Sequence, residues 1–91
     1  MENANQNKEP KRDKQVTIIV NGRDKLIEKE RITYEEVIIL AFGTYEQSPN
    51  IEYTVTYSKG KRPKQKGILE KGESIMIKEG MIFNVTRTDK S

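Results

Sequence analysis

The sequence contains no cysteine and no histidine. Without cysteine there is no disulfide, no thiolate nucleophile and no thiolate metal site. Without histidine the commonest metal ligand and general base is missing too. Hydrophobic residues are also scarce, at 33%, against 34% charged. Core residues are therefore few, and the folded part has to be compact. No apolar run approaches the length of a membrane span, and the first residues are polar, so a cytoplasmic protein without a membrane partner is the expectation. Neither sign of charge dominates. A net charge of +3 aids solubility and does not by itself imply nucleic acid. At 91 residues the chain is expected to fold as one domain. A domain of that size buries about 60% of its unfolded surface, so its stability should be modest.

What is present is organised around residues 32–43, Ile-Thr-Tyr-Glu-Glu-Val-Ile-Ile-Leu-Ala-Phe-Gly. This stretch predicts a helix with both ends marked. Thr33 and Glu36 have the spacing of a capping box, and Ile32 and Val37 that of a hydrophobic staple. Glu35 and Glu36 place negative charge where the helix dipole favours it. Gly43 stands where a left-handed cap costs glycine least. Tyr34, Val37, Ile38 and Ala41 share one face. Ile39, Leu40 and Phe42 widen the apolar surface, which predicts a helix covered on more than one side. The β-branched run Val37-Ile38-Ile39-Leu40 also reads as a buried strand, but the paired end signals favour the helix.

Residues 1–14 carry four basic and three acidic side chains and almost nothing apolar, which predicts a mobile leader. Residues 16–20 form a strand with Val16, Ile18 and Val20 on one face and Thr17 and Ile19 on the other. Asn21-Gly22 predicts a two-residue hairpin turn that sets Val20 opposite Arg23 and Thr17 opposite Leu26. The returning strand, 23–30, is a charged sheet edge. Residues 44–50 are a loop. Residues 51–57 alternate without fault, Ile51, Tyr53, Val55 and Tyr57 against Glu52, Thr54 and Thr56. The stretch 58–67, with Lys59, Lys61, Arg62, Lys64 and Lys66, is a flexible basic loop. Ile68-Leu69 is a short strand, and Gly72 marks a turn. A further hairpin across Glu79-Gly80 is one reading of 75–86, with Met81, Phe83 and Val85 facing the core and Ile82, Asn84 and Thr86 facing out. Residues 87–91 contain nothing apolar and are expected to project as a tail.

Hairpin, helix, long strand, short strands and final strand make an α+β fold with the helix on one face of a mixed sheet. A right-handed crossover then gives a β-grasp, with the first and last strands parallel in the middle. The sheet is expected to have four to six strands around one central helix.

Five segments carry a resemblance. Val-Asn-Gly-Arg at 20–23, Ile-Thr-Tyr-Glu-Glu-Val at 32–37, Tyr-Thr-Val-Thr-Tyr at 53–57, Leu-Glu-Lys-Gly-Glu-Ser at 69–74 and Lys-Glu-Gly-Met-Ile-Phe-Asn-Val-Thr at 78–86 resemble the multiubiquitin family of bacteria. The resemblance covers residues 16–91. It implies a ubiquitin-like β-grasp, with a leader at 1–14, the domain at 15–87 and an exposed tail at 88–91. It also implies a protein modifier in a bacterial conjugation system. The implied partners resemble activating enzymes, conjugating enzymes and deubiquitinase-like metalloproteases, besides the target proteins. This sequence has one such unit, whereas family members often carry several in tandem. It ends Thr88-Asp89-Lys90-Ser91, whereas ubiquitin-type modifiers commonly finish in Gly-Gly. Glycine lets a tail thread a narrow channel because it lacks a Cβ. Either the channel is wider here or the tail is trimmed first.

A modifier needs no catalytic group, cofactor or metal of its own, and none is expected. Glu35 and Glu36 are adjacent on a helix and diverge, so they make no acid–base pair. The candidate conjugation tail is Arg87, Thr88, Asp89, Lys90 and Ser91. The candidate partner-binding sheet face is Ile19, Met76 and Ile82, and its use without covalent transfer is the alternative function. A nucleic-acid role for the basic loop is weaker, because it lacks aromatic interleaving for base stacking. A monomer is expected.

Overall fold

A computed structural model describes residues 15–90. The expected leader at 1–14 and Ser91 of the expected tail lie outside the described residues. In chain order the elements are β1 (Val16–Val20), β2 (Arg23–Ile27), β3 (Arg31–Thr33), α1 (Tyr34–Phe42), β4 (Ile51–Ser58), β5 (Gly67–Leu69), β6 (Ser74–Met76) and β7 (Ile82–Asp89). A five-stranded sheet has the order β2-β1-β7-β4-β5, and β3 pairs with β6 in a second, two-stranded sheet.

The helix forms where its end signals sit. Thr33 Oγ1 accepts from the Glu36 amide at 3.1 Å, and Glu36 Oε1 accepts from the Thr33 amide at 2.9 Å. Gly43 closes the other end at φ 84°, donating its N–H to the Ile39 carbonyl. Tyr34, Val37 and Ile38 are buried. The second flank is not covered as expected: Ile39 and Phe42 remain 46% and 42% exposed. The five-stranded sheet wraps only one side of a nine-residue helix.

Alternation decides the large sheet. Ile18, Val20, Tyr53, Val55, Tyr57, Phe83 and Val85 are buried against the helix, joined by Leu69, Ile77 and Met81. Their neighbours Ile19, Thr54, Ile82 and Asn84 sit on the other face, as a period of two requires. Asn21-Gly22, at φ 52° and 82°, turns β1 into β2 in the expected register, Val20 opposite Arg23 and Thr17 opposite Leu26. β1 and β7 run parallel in the centre, with Ile19 opposite Ile82. β7 pairs antiparallel with β4 along all eight residues of each. This is a β-grasp.

The hairpin across Glu79-Gly80 does not form. β6 pairs with β3, setting Ile75 against Ile32, and Ile77 donates to the Glu30 carbonyl. The Glu79-Gly80 turn is bound to β1 instead. Thr17 donates its N–H to Glu79 Oε1, and Gly80 donates to the Thr17 carbonyl. Ile32 thus gains a strand partner and is 2% exposed, beyond the staple its spacing suggests.

Candidate functional site

The final strand carries the expected tail, and its backbone directions follow from two bonds. Ile19 N–H donates to the Met81 carbonyl and Asn21 N–H to the Phe83 carbonyl. Carbonyls of odd-numbered residues near the start of β7 therefore point to β1, and even-numbered residues bond β4. β1 ends at Val20, but its ladder continues by one side chain. Asn21 Oδ1 accepts from Val85 N–H at 2.8 Å, and Asn21 Nδ2 donates to the Val85 carbonyl at 3.0 Å. The asparagine amide thus stands in for one more residue of strand. Past Val85, β7 is paired among the described residues on the β4 side alone.

This corrects the projecting tail. Arg87, Thr88 and Asp89 belong to β7, opposite Tyr53, Glu52 and Ile51. Lys90 N–H donates to the Asn50 carbonyl. The last strand therefore continues past 87 to Asp89. The side chains are nonetheless exposed from Thr86 to Lys90. The polar sequence hid the strand, yet Thr86 and Thr88 alternate with Val85 and Arg87. An eight-residue β4 also needs a partner of equal length.

The loop after the helix grips the tail from the helix side. Glu46 Oε1 accepts from Arg87 Nε at 3.2 Å and Nη2 at 2.7 Å, which raises the guanidinium pKa further. Glu46 N–H in turn donates to the Tyr53 hydroxyl, and Tyr34 donates its hydroxyl proton to the Tyr53 carbonyl. Burial, with Tyr45 nearby, pushes the Tyr34 phenol up, so it stays a donor at neutral pH. Tyr45 stacks obliquely on Tyr53 at 5.5 Å and meets Tyr34 edge-on at 6.0 Å. Lys90 Nζ lies 3.8 Å from Glu52 on β4.

On the opposite face Ile19 and Ile82 are direct neighbours, both half-buried. Met76 does not join them. It belongs to the second sheet, opposite Arg31. Two apolar residues missed by sequence reasoning flank the same face. Leu26 lies opposite Thr17 at one edge and Ile68 opposite Thr56 at the other, 62% and 56% exposed. Strand alternation was the signal for both. Thr17, Asn84, Thr56, Thr54 and Thr86 share that face, with Asp24 opposite Ile19 and Glu52 at the end of the β4 row.

The multiubiquitin family model matches residues 16–89, the span of the domain just described. The chain belongs to the multiubiquitin family. Its β-grasp is thus a ubiquitin-like one, with the family match ending at the residue where β7 ends. Neither a curated protein nor a solved structure matches the chain. Among the described residues, no group of three or more acidic, histidine or cysteine side chains is placed to hold a metal. Likewise no described helix is long and apolar enough to cross a membrane.

Proposed function

We propose that this multiubiquitin domain is a protein modifier of a bacterial conjugation pathway, acting in the cytoplasm as a monomer. The observation that carries the reading is family membership across the whole folded domain. The geometry of the tail agrees with it. Among the described residues the strand is paired from Thr86 to Asp89 with β4, a ladder a partner has to break when it takes the tail.

In this reading the chain is substrate and not catalyst. A tail carboxylate attacks the α-phosphorus of ATP in an activating-enzyme-like partner, forming an acyl adenylate and releasing pyrophosphate. A partner thiol or hydroxyl displaces AMP, giving a thioester or ester. A target nucleophile then takes the acyl group and frees the partner. A deubiquitinase-like protein trims or reverses the bond. The test is incubation with the activating-like and conjugating-like proteins encoded beside it, plus ATP. Adducts are expected, and they disappear when residues 87–91 are removed. No adduct from the intact chain overturns the reading.

The apolar neighbours Ile19 and Ile82 favour one second reading, a non-covalent module that meets partners through its sheet face. Partner capture would then survive loss of the tail and fail in Ile82→Asp.

A further inference from the structure

The loop between β4 and β5 overhangs a groove of about 890 Å³ whose other wall is β6. Lys61, Arg62 and Lys64 stand along its rim, and Arg31 faces in from β3. None of these four cations pairs with a described carboxylate. The groove is also lined by Pro63, Ile68, Ile75 and Met76, and by Glu70 and Glu73, which follow the Leu69 end of β5 while Lys61, Arg62 and Lys64 precede its Gly67 end.

The loop is held in shape at its base. Gly60 is buried and donates its N–H to the Gln65 carbonyl at 2.7 Å. A Cβ at Gly60 would stand 3.0 Å from Met81 Cε, and one at Gly67 would stand 2.9 Å from the Tyr57 hydroxyl. The cations are thus presented from a fixed base, which lowers the ordering cost of binding. The edge of β5 adds a main-chain element. Val55 and Tyr57 bond β5 through Leu69 and Gly67. The N–H and C=O of Ile68 therefore point away from β4, off the sheet edge.

We propose that this groove binds an extended peptide of a partner protein, a short apolar run beside a run of Asp or Glu. The apolar residues seat on Ile68 and Met76, the backbone pairs with the Ile68 edge, and the acidic run meets Lys61, Arg62 and Lys64. Charge sets both the partner and its direction, because Glu70 and Glu73 repel an acidic segment laid the other way. Those same glutamates oppose a continuous polyanion. The groove also offers no exposed aromatic ring for base stacking, as Tyr57 is 7% exposed. The assignment stands whether or not the tail is joined to targets.

The test displays random dodecapeptides on phage against the full chain and measures the enriched peptides by fluorescence anisotropy. Acidic–apolar sequences are expected, binding roughly tenfold more weakly to Lys61→Glu/Lys64→Glu and to Ile68→Asp, and unchanged by Arg23→Glu, a charge reversal on the far edge strand. Arg62→Glu gives a second charge variant, and circular dichroism confirms each fold. No enrichment, enriched peptides without acidic residues, or affinities indifferent to the loop charges overturn the proposal. So does a fluorescein-labelled single-stranded oligonucleotide that binds at low salt and competes with the peptides.

Discussion

Asn21 does two jobs with one side chain. It turns the chain at φ 52°, and its amide completes the ladder to Val85. The two roles separate by substitution. Glycine accepts the turn more readily than asparagine, yet it removes both bonds and leaves the Val85 N–H without its partner. Asn21→Gly is therefore expected to lose about 1–3 kcal/mol in urea unfolding. If only the turn mattered, it would be neutral or stabilising. Thr33 and Glu36 act as a pair in the same way, and Thr33→Ala is expected to cost about 1 kcal/mol. Glu36 has its pKa lowered first by the Lys29 ammonium, with help from the Thr33 amide. A carboxylate lowered on folding stabilises fully above its unfolded pKa, about 4.3, and the gain is lost as pH falls through the lower folded value. Thermal unfolding of Glu36→Gln should therefore show a flatter decline of stability below about pH 4.3 than the parent. Equal slopes would remove this account of the cap.

At the scale of elements, the legible part of the fold was the part with repeating pattern. The helix announced itself by two caps, and β1, β4 and the start of β7 by alternation of Val, Ile, Tyr and Phe with polar residues. Three residues cannot establish a period, so β3 has no signal of its own, and the stretch around Ile75 reads equally as an arm of a hairpin that does not form. The end of β7 was hidden for a different reason. Residues 87–89 have no apolar side chain to mark a buried face, and Asp89 disfavours a strand, so pairing with β4 decides it. Of the candidate sites, Ile19 and Ile82 come together, Met76 goes to another sheet, and the tail turns out to be annealed. That annealing has a measurable pattern. The amides of Thr86 and Thr88 face β4, while that of Arg87 faces the open side beyond Asn21. Hydrogen exchange should be slower at Thr86 and Thr88 than at Arg87 between them. Uniformly fast exchange from 86 to 90 would mean a free tail.

The whole molecule rests on one core, shared by the helix and the sheet, with few residues to spare. Phe83 is fully buried on the strand that touches both β1 and β4. Phe83→Ala is expected to cost about 3–5 kcal/mol, most of the stability of a domain this small, and to abolish the cooperative melt. A retained cooperative transition near the parent temperature would contradict a single shared core. The same body frames its end. Among the described residues the β4 ladder secures 86–89, and the exposed Arg87–Glu46 pair secures their helix side. An arginine-specific protease cuts after Arg87 and spares Lys90, so a target joined to this chain would carry a remnant beginning at Thr88. The most direct measurement is mass spectrometry of the protein and its adducts from its native cell after arginine-specific digestion. The account predicts target peptides branched with a remnant that starts at Thr88, whole or shortened. Recovery of the residues after Arg87 solely as linear, unattached peptides would contradict it.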